Sequence, residues 1–314
     1  MRKYVGIDLG GTNIAAGVVM ENGAIISQAE MPTRAERPWQ PVLDDIARTA
    51  FMAVENAGLT VKDIEAFGIG VPGVCVNGVI PFCTNLGWHD VPINEAWKKY
   101  TDKPLFVDND ANCAGVAESI SGVSASVADS VFLTLGTGLG GGIIVNNKPQ
   151  NGSHGVGGEL GHLTIVVDGE MCTCGKRGCF ERYAAASGLI RMGVAAMAAD
   201  PGGALDEATG GDPGRISPKI VADCAKSGDP GAMRAFDEYV KYLTIGINSI
   251  ISFIDPSMIV LGGGVSRAGK FLLDKVRAKL PEFIFYKTLP YAAIELATLG
   301  NEAGIIGAAL LGRN

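Results

Sequence analysis

The sequence predicts an α/β protein of two lobes, built on a duplicated strand–turn–strand unit. Residues 3–20 (KYVGIDLGGTNIAAGVVM) read as a buried strand, a glycine turn and a second strand. Residues 130–150 (SVFLTLGTGLGGGIIVNNKPQ) repeat that order and close on a polar turn. Helical spacing follows each copy, as a duplicated α/β architecture requires. The length, 314 residues, exceeds one average domain and agrees with two lobes. The expected small lobe covers 1–112 with about 299–314, the expected large lobe 113–298, with a cleft between them.

The elements follow in order. After the first two strands, residues 21–23 (ENG) form a hairpin turn and residues 24–33 (AIISQAEMPT) a third strand. From Pro41 to Ala57, Val42, Ile46, Ala50 and Val54 recur at helical spacing, and Gly58 ends the run. Residues 65–74 (EAFGIGVPGV) are a strand entering a glycine–proline turn. Residues 105–119 (LFVDNDANCAGVAES) read as strand, polar turn and helix. A long helix is expected over Glu181–Ala199, then a mobile surface loop over 200–217 rich in Gly, Pro and Asp. Helices over Lys219–Lys226 and Met233–Ile254 come next. They are followed by a strand with a third glycine turn (MIVLGGGVS, 258–266) and a small-residue helix over Glu302–Leu311.

Hydrophobic residues make up 47% and charged residues 19%, which is globular composition. A net charge of −7 argues against nonspecific binding to nucleic acid or anionic membranes. No secretory apolar segment and no membrane-spanning run is visible, so a cytoplasmic location is expected. Seven cysteines in a reducing compartment do not form a disulfide framework. The 44 glycines are about twice the usual share of roughly 7%, and they fall in clusters. Such clusters mark sharp turns or close approach of backbone to a ligand.

In the first glycine turn, Asp8 ends a strand and Gly10, Gly11, Thr12 and Asn13 follow. Glycine backbone N–H groups can reach phosphate oxygens and Thr12 can donate one more hydrogen bond. Asp8 can hold Mg²⁺ through water, because that ion sheds its waters reluctantly. A plain hairpin turn is the competing reading. No Walker A loop occurs, and no G-x-G-x-x-G follows the first strand. The second turn, with Thr137 and Gly138, offers a second phosphate loop. It contains G-x-G-x-x-G at Gly136, Gly138 and Gly141, yet a strand follows, so a dinucleotide fold is disfavoured. The third turn, at Gly264, can pass beneath a purine ring or can simply pack strand against helix.

Asp108, Asn109, Asp110 and Asn112 stand between a strand and a helix. Asp110 is placed as a general base, and one residue of the four suffices as a helix cap. Farther along, His162, Cys172, Cys174 and Cys179 form a Cys₃His set that matches structural Zn²⁺. C-x-C spacing is not that of a redox pair. Four protein ligands fill a tetrahedral shell, and the second imidazole nitrogen of His162 stays available to a hydroxyl.

These segments, with VPGV (71–74) and TNLGWHDVPI (84–93), resemble the ROK family of sugar kinases and repressors over the whole chain, closest to its bacterial glucokinase branch. The resemblance implies the actin-like ATPase (ribonuclease H-like) fold, duplicated. It implies transfer of phosphoryl from ATP to the 6-hydroxyl of a hexose, glucose first, with Mg²⁺ and structural Zn²⁺. By the same resemblance Asp110 is the catalytic residue. The sugar ligands are Gly73, Asn85, Asn109, Asp110, Glu159, His162 and Glu181. ATP phosphates meet Gly10–Thr12 and Thr137–Gly138, and adenosine lies by Gly264. A homodimer or higher homo-oligomer is implied too. The alternatives are a kinase for N-acetylmannosamine, fructose or allose, polyphosphate as donor, and a sugar-sensing repressor. The repressor is disfavoured because Asp8 leaves no room for a preceding helix-turn-helix. Because the glycine turns lie on other segments than the cysteines, nucleotide binding is expected to be largely independent of the metal.

Overall fold

The computed structural model describes residues 1–313; Asn314, the end of the expected small lobe, lies outside the described residues. In chain order the elements begin with β1 (Lys3–Leu9), β2 (Asn13–Met20), β3 (Ile25–Pro32), α1 (Trp39–Asn56) and β4 (Phe67–Val71). A hairpin follows, β5 (Ile80–Cys83) and β6 (Trp88–Val91), then α2 (Ile93–Trp97), β7 (Leu105–Asn109) and α3 (Asp110–Ser121). The second set is β8 (Ser130–Leu135), β9 (Leu139–Val145), β10 (Lys148–Pro149), α4 (Glu181–Ala184), α5 (Ala186–Ala199), α6 (Ala204–Thr209), α7 (Pro218–Lys226) and α8 (Pro230–Ile254). It ends with β11 (Met258–Gly262), α9 (Lys270–Lys279), β12 (Ala293–Leu296) and α10 (Ala303–Leu310). No helix among the described residues is long and apolar enough to cross a membrane.

The duplication is explicit in strand order. One sheet runs β3-β2-β1-β4-β7 and the other β10-β9-β8-β11-β12, so each is three hairpin-linked strands followed by two crossovers. β1 pairs antiparallel with β2 and parallel with β4, and β4 pairs parallel with β7. Every residue of β4 is buried, as a central parallel strand covered on both faces demands. β3, at the edge, alternates half-buried and exposed.

Two compact units divide the chain. The first comprises Met1–Phe132, Gly142–Gly158 and the segment from Thr298 onward; the second comprises Leu133–Gly141 and Glu159–Ala297. The break set at residue 112 in the sequence falls inside the first unit. The reason is α3, which packs on α10 at very short range. A Cβ added at Gly307 of α10 would sit 1.7 Å from the Cys113 carbonyl oxygen, and one at Gly68 of β4 would sit 1.8 Å from the Ala308 carbonyl oxygen. Only glycine allows that approach, which explains the small-residue composition of α10.

Three expectations need correction. The helix over 181–199 is two helices, because Ala185 is extended (φ −85°, ψ 174°) and the Ala186 N–H leaves the helix to donate to the Gly136 carbonyl at 2.8 Å. The 200–217 segment is no bare loop. It holds α6, which buries Leu205 and Thr209, and a 3₁₀ turn over Pro213–Arg215, where Arg215 donates to the Thr209 carbonyl at 2.9 Å. No polar turn separates β7 from α3: Asn109 ends the strand and caps the helix in the same residue.

Candidate active site

In the first unit, the Gly10–Asn13 turn is closed by the Gly10 N–H donating to the Asn13 carbonyl at 2.9 Å. Thr33, fully buried, braces it from below. Its hydroxyl donates to the Gly10 carbonyl at 2.6 Å and its N–H to the Thr12 carbonyl at 2.8 Å. The turn borders a cavity of about 450 Å³, shared by Asp8, Gly10–Asn13, Gln28, Glu30, Asn301, Glu302 and Ile305. Thr33, Asn301 and Glu302 were not singled out in the sequence; nothing local sets them apart, since they reach the turn only through sheet pairing and α10. Burial raises the Asp8 carboxyl above the ordinary aspartate range. The sheet register puts Asp8, Gly70 and Asp108 in one row across β1, β4 and β7.

Asp108 is buried and works as a hub. One carboxylate oxygen accepts from the Asn112 amide (2.8 Å) and the Asn109 N–H (2.7 Å), and the other accepts from the Asn151 amide (2.7 Å). Asn109 caps α3 by accepting from the Ala111 N–H at 2.9 Å, and its amide donates to the Gly73 carbonyl at 3.2 Å. That bond joins two of the sequence-predicted residues, Gly73 and Asn109. Asp110 is the first residue of α3 and is exposed; its carboxylate accepts from the Ala111 N–H at 2.8 Å. A rigid hub thus underlies an accessible carboxylate at the end of a parallel strand. Asn85 lies in the 3₁₀ turn of the β5–β6 hairpin. Its carbonyl is 3.9 Å from where a Cβ on Gly11 would stand.

In the second unit, His162, Cys172, Cys174 and Cys179 converge, with ligand atoms all within 4.8 Å of one another. The His162 Nδ1 faces Cys172 (3.8 Å to Sγ), while its Nε2 faces the Glu159 carboxylate at 3.9 Å. Cys174 and Cys179 are 3.6 Å apart. Three thiols and an imidazole in that volume are the donor set of a tetrahedral metal site. The sequence places Glu159, His162 and Glu181 around this knuckle, and they are found there. Lys176 donates to the His162 carbonyl at 2.9 Å and ties the knuckle tip to its base.

Glu181 has two neighbours. The Cys172 thiol donates to one of its oxygens at 3.1 Å, and the Leu139 N–H donates to the other at 3.4 Å. The second glycine turn and the knuckle lie on different segments, as expected, yet Glu181 bridges them: Leu139, just after Thr137 and Gly138, donates to it, and Cys172 of the knuckle touches it. Thr137 and Gly138 are exposed. At the third turn, Gly263 adopts φ +84° against the end of β8, and Gly264 has no atom within 4 Å of where a Cβ would stand.

The family model described as "ROK family" matches residues 4–314. A glucokinase of Streptomyces coelicolor is 38% identical, covering 100% of this chain and 98% of its own. Among solved structures, a ROK family glucokinase from Streptomyces griseus in complex with glucose and AMPPNP is 35% identical, with 99% of each chain covered and a TM-score of 0.83. A ROK hexokinase from Thermus thermophilus is 34% identical, covering 98% of this chain and 97% of its own, at the same TM-score. The two matched sheets are those of the actin-like ATPase fold, and the chain belongs to the ROK family.

Proposed function

We propose that the chain is an ATP-dependent hexose kinase that phosphorylates the 6-hydroxyl of glucose. The observation that carries this reading is an exposed carboxylate, Asp110, held at the end of β7 by a buried hub, in a chain alike over its full length to a glucokinase seen with glucose and AMPPNP. Asp110 accepts the proton of the 6-hydroxyl as that oxygen bonds to the γ-phosphorus. The bond from the γ-phosphorus to the bridging oxygen breaks and ADP leaves.

The Gly10 N–H is spent on closing the first turn, so the backbone N–H groups of Gly11–Asn13 and of Thr137–Gly138 meet the phosphate oxygens and stabilise the charge that spreads over them. The open space over Gly264 receives the adenosine. Asn109 keeps one amide hydrogen after bonding Gly73 and offers it to the sugar, alongside Gly73 and Asn85. Glu159, His162 through Nε2, and Glu181 bind further hydroxyls. Asp8, facing the polar cavity beside the first turn, would hold Mg²⁺ through water, and that ion supplies positive charge against the phosphates. His162, Cys172, Cys174 and Cys179 would hold a structural Zn²⁺ that stiffens the loop carrying the sugar ligands.

The test is a coupled assay of ADP release over glucose, N-acetylmannosamine, fructose and allose, with ATP and with polyphosphate. Glucose with ATP is expected to give the highest kcat/KM. A higher value for another hexose reassigns the substrate, and no turnover with any of them overturns the reading.

A further inference from the structure

We propose that the metal knuckle sets nucleotide affinity directly, with Gly161 and Glu181 as positioning residues for the second glycine turn. The inference rests on the kinase reading above and adds to it a role for two residues on the sugar-binding loops.

The second turn is gripped from two sides. Gly161 sits inside the 3₁₀ turn Leu160–His162 that carries His162. A Cβ placed there would stand 2.0 Å from the Leu139 carbonyl oxygen and 3.5 Å from the Glu181 Cβ. Backbone of the knuckle therefore lies flat on backbone of the turn, with no side chain between them to absorb a shift. From the other side, the Glu181 carboxylate receives the Leu139 N–H at 3.4 Å, and a Cβ on Gly138 would be 2.8 Å from the same oxygen. The break in the helix after α4 adds a third hold, since the Ala186 N–H donates to the Gly136 carbonyl at 2.8 Å. The other Glu181 oxygen lies 3.1 Å from Cys172 Sγ. Phosphate affinity depends on preorganised N–H groups, so whatever fixes Leu139 fixes the donors at Thr137 and Gly138.

Two variants test this, with binding of Mg²⁺·AMPPNP measured by calorimetry in the absence of any sugar. Gly161→Ala forces knuckle and turn apart. It is expected to raise the nucleotide Kd at least about 10-fold while metal content stays at one ion per chain. Glu181→Ala frees the Leu139 N–H without crowding and decides the matter if Gly161→Ala does not fold. It is expected to raise the sugar-free nucleotide Kd several-fold. If Glu181 serves the sugar alone, that Kd stays unchanged, and the proposal is overturned. Val167→Ser, on the knuckle but 83% exposed, is the control and should leave nucleotide Kd as in the wild type. Failure of the wild-type chain to bind Mg²⁺·AMPPNP would sink the kinase reading itself. Wild-type binding with unaltered Kd in Glu181→Ala would sink only this inference.

Discussion

Two aspartates in the first unit do opposite work. As the proposed general base, Asp110 has to be accessible, and it is exposed at the start of α3. Asp110→Asn keeps the shape and removes proton acceptance. General-base catalysis contributes ~10²–10⁴-fold, so kcat should fall by at least that much with glucose affinity little changed. Retention of more than a tenth of wild-type kcat would rule out the assignment. Asp8 is partly buried beside the first turn, and burial raises its pKa in the folded chain. The sign follows from linkage. A folded-state pKa above the unfolded one favours folding below the unfolded aspartate range, and that advantage is lost as pH rises through the folded value. Once ionised, this carboxylate is a cost to folding that a bound cation would relieve. Asp8→Asn should raise the Tm at pH 7, narrow the Tm difference at low pH, and abolish Mg²⁺-dependent nucleotide binding. A lower Tm at pH 7, measured calorimetrically without ligand, would contradict the argument.

Secondary-structure elements differ in how openly the sequence declares them. The two strand–turn–strand copies were legible because apolar runs and glycine clusters recur in the same order. The cysteine knuckle was legible because thiol spacing is rare outside metal sites. By contrast the β5–β6 hairpin was missed, since its strands are four residues each and its loop is a 3₁₀ turn without a glycine pair at the centre. α6 was hidden by the glycines and prolines around it; what holds it down is its buried Leu205 and Thr209 and the bond that Arg215, six positions on, makes to the Thr209 carbonyl. The break at Ala185 could not be read from a run of alanines, because the partner that draws Ala186 away is Gly136, fifty residues earlier. Contact of knuckle and glycine turn was illegible for the same reason: it lives in the pairing of distant segments. It changes one expected outcome. Cys174→Ser should lose the metal and weaken sugar binding on the ~10–100-fold scale of lost metal-site contacts, and nucleotide binding should weaken with it. Elemental analysis and separate calorimetric titrations with glucose and AMPPNP check this. A metal-free native protein with full activity would refute the metal assignment.

At the scale of the whole molecule, duplication leaves a problem of chain return. The second copy ends at β12, and the chain must come back to the first unit to add α10 to its sheet. Thr298 is the first residue of that returning segment. It meets Glu118, a fully buried carboxylate near the end of α3. Glu118 accepts from the N–H of Thr298 at 2.8 Å, of Leu299 at 2.9 Å and of Val123 at 2.9 Å, and from the Thr298 hydroxyl at 3.1 Å. One side chain thus fixes the chain leaving α3 and the entry to α10, whose glycines then reach β4 and α3 at backbone distance. The cluster has no apolar periodicity and no motif, so nothing local distinguishes Glu118 from a surface glutamate. Hydrogen bonds to a charged group contribute ~1.5–3 kcal/mol each, and a buried donor left without a partner costs ~1–3 kcal/mol. Glu118→Ala should therefore destabilise the chain by about 3 kcal/mol or more, while Glu118→Gln, which keeps two acceptor positions filled by one oxygen, should lose less. Denaturant midpoints of the two variants and the wild type, read at pH 7, check the order. Glu118 is not among the proposed catalytic or binding residues, so kcat of the folded fraction should stay near wild type at low temperature. If Glu118→Ala unfolds no more readily than the wild type, the returning segment is held by apolar packing of α10 alone and the carboxylate is incidental.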